Sequence, residues 1–341
     1  MLNEAESVLD GSTSRQLEEL GSLHTRRAMV FNHLGDYQRS RSEYETALKL
    51  RDQIGQQRTL KTAGIHNSFG NLLRALNDLK GAQSEYGKAL AIYREIYGSD
   101  SKNVNFIIGA GMNLGSVNID LGNLVEARSL LEKASVFFAG MGSTTSLGYA
   151  NAEDKLGEID RLERKFDDAF KHYDNSERAC RALFGDHHRS VATPIQNRGQ
   201  AELEQGQFTA ALLQFEQALA LRLETLPRTH REVAASLDGR SQALLHLNRY
   251  AEAKQDAEEA LSIWREALPA NHPLIVYSLV HVGLARFALG DIEGAQVALR
   301  EARELAPRVL ADNPERLDLI RAAIDDPHAA LTNPVPAGSY D

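Results

Sequence analysis

Seven short segments of this chain share one pattern: a tight turn, an apolar residue, and a small residue three positions further on. The turns are Gly35-Asp36-Tyr37, Asn77-Asp78-Leu79, Gly122-Asn123-Leu124, Arg164-Lys165-Phe166, Gly206-Gln207-Phe208, Asn248-Arg249-Tyr250 and Gly290-Asp291-Ile292. The small residues are Ser40, Ala82, Ala127, Ala169, Ala211, Ala253 and Ala295, spaced 42, 45, 42, 42, 42 and 42 apart. A period of this length rules out one conventional globular core. It requires one supersecondary unit, stacked on copies of itself.

The unit is legible in side-chain size. A second small residue follows seven positions after the first: Ala47, Ala89, Ala134, Ser176, Ala218, Ala260 and Ala302. Between the two stands a larger apolar residue, Tyr44, Tyr86, Leu131, Tyr173, Phe215 and Leu299, with Ala257 the exception. Offsets of three, four and seven put all of these on one helical stripe. Upstream of each turn another small residue recurs at Ala28, Gly70, Gly115, Gly157, Gly199, Ser241 and Gly283. Each unit is therefore read as two antiparallel helices, with Gly or Asn supplying the left-handed residue that ends the first. Aromatics reach only 6% while Ala, Leu, Glu, Gln and Arg abound, which agrees with helix throughout.

This pattern resembles the tetratricopeptide repeat over positions 21 to about 310. The family's usual unit is about 34 residues; the 42-residue form is similar to the repeats of kinesin light chains and of many bacterial signalling proteins. The resemblance implies an all-α, right-handed superhelical solenoid of about seven helix pairs, at roughly 21–62, 63–107, 108–149, 150–191, 192–233, 234–275 and 276–312. Residues 1–20 read as the remnant of a preceding repeat, because Ala5 falls where Ala47 does one period later. That start suggests a piece of a longer protein, or an uncapped end that pairs with a second copy. A capping helix is expected over 313–325 and a loose tail over 326–341, rich in Pro, Gly and Ala.

Other functions find little support. A net charge of −9 disfavours a general nucleic-acid binder. No secretory leader or membrane-length apolar run is visible, so a cytoplasmic protein is expected. The single cysteine, Cys180, reads as a buried helix residue. Gly109-Ala110-Gly111-Met112-Asn113-Leu114-Gly115 is one residue too long for a dinucleotide fingerprint and follows no strand. His188, His230 and His272 stand 42 apart in the links between units, where a turn or helix-start role accounts for them better than metal. No catalytic constellation, cofactor or metal site is expected.

The resemblance places a concave groove on the first helices. Positions around the small residue of each give Arg26, Asn67, Asn71, Arg74, Asn113, Asn151, Lys155, Arg161, Gln196, Asn197 and Gln200, followed by Asp238, Gln242 and His281. Amide side chains offer donor and acceptor together, which suits the backbone of an extended peptide. Arg26, Arg74, Lys155 and Arg161 would favour an acidic segment. The expectation is a non-catalytic scaffold or adaptor for a protein or peptide; the alternative is the sensor region of a larger signalling enzyme such as a bacterial Ser/Thr kinase.

Overall fold

A computed structural model describes residues 14–98, 103–311 and 313–332. Among them the chain forms sixteen α-helices and no strand. The pairs are α1 (Ser14–His33) with α2 (Tyr37–Gln53) and α3 (Leu60–Ala75) with α4 (Leu79–Tyr97); α5 (Val104–Asp120) and α6 (Leu124–Gly140) follow in the chain. The pairs continue as α7 (Leu147–Leu162) with α8 (Phe166–Phe184), α9 (Ala192–Glu204) with α10 (Phe208–Leu223), α11 (Arg231–His246) with α12 (Tyr250–Ala267), and α13 (Pro273–Ala288) with α14 (Ile292–Val309). Helices α15 (Pro314–Asp325) and α16 (Pro327–Thr332) end the described chain. Contacts divide it into two compact units, Met1–Leu130 and Leu131–Asp341, each a stack of helix pairs. The first helix of the first pair begins at Ser14, so residues 14–20 belong to that pair and not to a separate remnant. Ala5 and the rest of 1–13 lie outside the described residues.

All seven turns close alike. The second residue after each first helix adopts positive φ: Gly35, Asn77, Gly122, Arg164, Gly206, Asn248 and Gly290, between 59° and 81°. The next amide reaches back five residues, as in Asp36 N–H to Phe31 O at 2.9 Å and Asp78 N–H to Leu73 O at 2.8 Å. Asp36, Asp78 and Asp291 then cap the second helix by accepting from Arg39, Gly81 and Gly294 amides. Arg164 departs from the Gly-or-Asn rule; its guanidinium lies 5.4 Å from the Phe166 ring centroid.

Within a pair, small meets large. Ser40, Ala82, Ala89, Ala127, Ala134, Ala169, Ala211, Ala218, Ala253, Ala260, Ala295 and Ala302 are all buried, as are Tyr44, Tyr86, Leu131, Tyr173, Phe215 and Leu299. Gly70, Gly115, Gly157, Gly199 and Gly283 are buried on the facing first helices. A Cβ on Gly157 would stand 2.6 Å from the Tyr173 ring, and one on Gly70 2.7 Å from Tyr86. Gly157→Ala should therefore destabilise the second unit by about 1–2 kcal/mol through overpacking. An unchanged urea midpoint would contradict this packing.

The links carry a second recurring device. Thr59, Ser146, His188, His230 and His272 occupy one register position, and each caps the helical segment that follows, which for His188 is a 3-10 turn (Arg189–Val191) leading into α9. The histidines accept through Nδ1 from the amides of Ser190, Glu232 and Leu274 at 3.2, 3.2 and 3.3 Å. Such a cap needs a neutral ring, and burial holds the His230 pKa below its ordinary value.

The C-terminal end differs from the expected loose tail. Helix α15 buries Leu317, Ile320, Ala323 and Ile324 and is capped by Asn313. After it, residues 327–332 form α16, which packs on α11 and α13 and buries Ala330. His246 Nδ1 meets the Leu331 carbonyl at 3.0 Å. The reason lies in α13, where every residue from Leu274 to Ala285 is buried. A helix apolar all round needs cover on more than one side, and the Pro- and Ala-rich composition of the tail concealed that it supplies some. Residues 333–341 lie outside the described residues.

Candidate functional site

The first helices of the second unit touch one another in sequence, α7 with α9, α9 with α11 and α11 with α13. Their polar residues sort into two sets: those that reach outward and those that tie one first helix to the next.

In the first unit, Arg26 and Asn71 are exposed. Asn71 Oδ1 accepts from the Tyr86 hydroxyl at 2.6 Å, which fixes the amide. Asn67 and Asn113 are half-buried and bond to each other, Asn113 Nδ2 to Asn67 Oδ1 at 2.8 Å. Arg74 pairs with Asp120 across the same two helices, Nε to Oδ2 at 2.7 Å.

In the second unit, Asn151 is exposed, while Lys155 is half-buried and pairs with Glu158 at 3.0 Å. Asn197 Nδ2 donates to Asp154 at 2.9 Å, and Arg161 forms an ion pair with Glu204. Gln200 donates to the same Glu204 at 3.2 Å, and Gln196 accepts from Arg222. Arg161, Gln196 and Gln200 are 6%, 2% and 5% exposed, too little to meet a peptide directly. Asp238, Gln242 and His281 are buried as well, with His281 Nδ1 at 2.8 Å from Asp238. Of the four cations expected to attract an acidic segment, Arg74, Lys155 and Arg161 already have carboxylate partners. Only Arg26 presents its charge to solvent.

Two groups in this row have shifted acidities, for different reasons. Asp154, fully enclosed, is raised to about 6 by desolvation, which outweighs Lys155 and the Asn197 hydrogen bond. Burial also opposes the charge of Arg161, but Glu204 more than offsets it and holds the guanidinium above its ordinary value.

Sequence reasoning missed a set of ties within pairs. His24 meets Glu43 and His66 meets Glu85, each ring Nδ1 at 2.5 Å from the carboxylate. Glu153 and His172 occupy the same two register positions with the residue types exchanged, at 2.9 Å. The signal was available: His24 and His66 are 42 apart, as are Glu43 and Glu85. Cys180 is buried and its thiol is pushed up to about 11 by desolvation, so it is no thiolate at neutral pH. Among the described residues, no cluster of three or more His, Cys, Asp or Glu side chains could hold a metal ion, and no helix is long and apolar enough to cross a membrane.

Stacked helix pairs presenting polar first-helix faces are the architecture of a protein-interaction scaffold, a class that is typically non-catalytic. The chain belongs to the tetratricopeptide repeat family, whose models match residues 19–95, 148–224 and 233–274, together more than half of its length. Members of that family bind protein partners. Among solved structures it is similar to the apo form of RapI (11% identity, TM-score 0.54, 80% of this chain and 98% of that one). It is also similar to the kinesin light chain nearly identical TPR-like repeats of Podosopora anserina (20% identity, TM-score 0.46, 59% and 95%). A third is BtubC (BKLC) from P. vanneervenii (18% identity, TM-score 0.42, 96% and 97%). At such identities the likeness concerns the fold. No curated protein matches the chain significantly.

Proposed function

We propose that this chain is a non-catalytic scaffold that captures an extended peptide along the outward faces of its first helices. The observation that carries this reading is Asn71. An exposed amide would ordinarily be free to rotate, yet the Tyr86 hydroxyl bonds its oxygen and so fixes the orientation of its NH2 group. Fixed donors of this kind suit the carbonyls of an extended backbone, whatever side chains it carries. Asn151 offers a second exposed amide, in the other unit. The half-buried Asn67, Asn113 and Asn197 act mainly by holding neighbouring first helices together, so their removal would confuse binding with stability.

The test is selection from a displayed peptide library on the full chain, repeated with the double variant Asn71→Ala/Asn151→Ala. Asn151 is exposed and its removal should be nearly neutral, whereas Asn71→Ala also takes the acceptor from the buried Tyr86 hydroxyl, so the variant should lose about 1–3 kcal/mol of stability and binding is compared at a temperature where both proteins are fully folded. Enriched peptides should bind the variant roughly tenfold more weakly, the loss of one to two hydrogen bonds. Peptides that bind both proteins alike, or no enrichment at all, would remove this face as the site.

A further inference from the structure

One pocket in the second unit holds more positive charge than its own carboxylate can balance. Of about 210 Å³, it opens beside the starts of α9 and α11 and is lined by Arg189, Thr193, Gln196, Arg222, Arg231 and Glu232. Arg222, reaching in from α10, is 4% exposed. Its Nη1 donates to Gln196 Oε1 and to Ser236 Oγ, the latter at 2.6 Å. Its Nε is buried with no hydrogen-bond partner. Glu232 stands 3.9 Å from that nitrogen, beyond hydrogen-bonding reach, and is shared with Arg189 at 3.7 Å. Arg231 is exposed at the rim. Burial pulls the Arg222 pKa down to about 10, whereas the comparably buried Arg161 is held above its ordinary value by Glu204.

The repeat supplies a comparison within the molecule. The register position of Arg222 is taken by Arg51 in the first pair, 171 residues earlier, and Arg51 is also buried. Arg51 Nε is likewise buried without a hydrogen-bond partner, so the difference lies in the carboxylate: Glu18 Oε1 stands 3.4 Å from Arg51 Nη1 and 2.7 Å from Lys61 Nζ. The same shift of 171 carries Glu18 to Arg189, Ser22 to Thr193 and Lys61 to Glu232. The two pockets are thus one register site with charges exchanged. In the first, a built-in carboxylate balances the buried arginine. In the second, the residue at that place is another arginine.

We propose that this second pocket binds one oxyanion, a carboxylate or phosphoryl group carried on a side chain of the captured peptide. Three guanidiniums, one of them enclosed with a free N–H, match the planar and tetrahedral oxyanions that arginine pairs with best. An incoming anion would supply the missing partner and offset the desolvation that Arg222 now bears alone. The peptide carrier rests on the reading above; the anion site does not.

The experiment is calorimetric titration of the full chain with inorganic phosphate and, separately, with acetate, at ionic strength held constant with chloride. One variant, Arg189→Glu, restores the carboxylate that the first pair has at Glu18; a second, Arg231→Gln, alters only the rim. Wild type should bind phosphate, or acetate, above the chloride control, with the preferred ion telling a phosphoryl from a carboxylate group. Arg189→Glu should bind at least tenfold more weakly while melting no lower than wild type without the anion, and Arg231→Gln should weaken binding several-fold. Neither ion binding, or Arg189→Glu binding as wild type does, overturns the proposal. Anion binding without any selected peptide would keep the pocket and remove the peptide reading; selected peptides that ignore Arg189→Glu would remove the pocket alone.

Discussion

Replacing Glu204 by alanine should destabilise the second unit by about 3–5 kcal/mol, the cost of stranding a buried charge. Glu204 belongs to α9 and Arg161 to α7, so their ion pair joins two successive first helices. Arg161 is 6% exposed, too enclosed for solvent to replace the lost carboxylate fully, and Gln200 would lose its acceptor as well. The Tyr173 hydroxyl beside it is buried without a partner and could not take over an anionic role at neutral pH, because burial raises its pKa well above the ordinary phenol value. The measurement is urea unfolding followed by circular dichroism, read at the transition of the second unit, since a repeat array need not melt as one. The double variant Arg161→Met/Glu204→Leu should recover most of the loss, because an apolar pair of similar volume carries no desolvation penalty. A change below 1 kcal/mol for Glu204→Ala would mean that Arg161 is solvated after all, and free to serve in a groove.

That expectation shows where the sequence stopped being readable. Ala211 facing Phe215 on the same stripe, or Gly157 facing Tyr173 across the pair, is a constraint of size at a fixed offset. Size and offset are both written in the chain. The direction of Arg161 or Gln196 depends instead on how closely α7, α9 and α11 approach sideways, which no spacing within a single repeat reveals. The ties Asn67–Asn113 and Arg74–Asp120 join residues 46 apart, while Asn197–Asp154, Arg161–Glu204 and Asp238–His281 join residues 43 apart. Each is one repeat plus one residue, a sideways step and a fraction of a turn. Comparing neighbouring repeats by charge, and not by size alone, would have exposed these ties. It would also have shown Arg189 standing where Glu18 does. Helix α16 escaped for another reason: its own composition is that of a loose end, and what orders it is the apolar surface of α13.

Asp154→Asn should have the opposite effect to Glu204→Ala, and a pH dependence that identifies its cause. Asp154 is enclosed in α7; one carboxylate oxygen accepts from Asn197 and the other has no partner. Its pKa rises from an ordinary 3.8 to about 6 in the folded chain. A carboxyl group with a raised folded pKa destabilises the fold where it is ionised in both states, which here is above about pH 6. As the pH falls through 6 the folded protein takes up the proton first, and the penalty shrinks until the unfolded chain protonates as well, near 3.8. A rise of that size corresponds to about 3 kcal/mol at most. Asparagine is uncharged at every pH, so the variant should be more stable than wild type by about 2–3 kcal/mol at pH 8, and the gap should close toward pH 4. Urea unfolding of both proteins at pH 8, 6 and 4 checks it. A gap that stays constant with pH would assign the gain to packing, and a variant less stable at pH 8 would show that the charge is wanted where it stands. The second outcome would point to Lys155 as its counter-ion, and so to a first-helix face held open by paired charges.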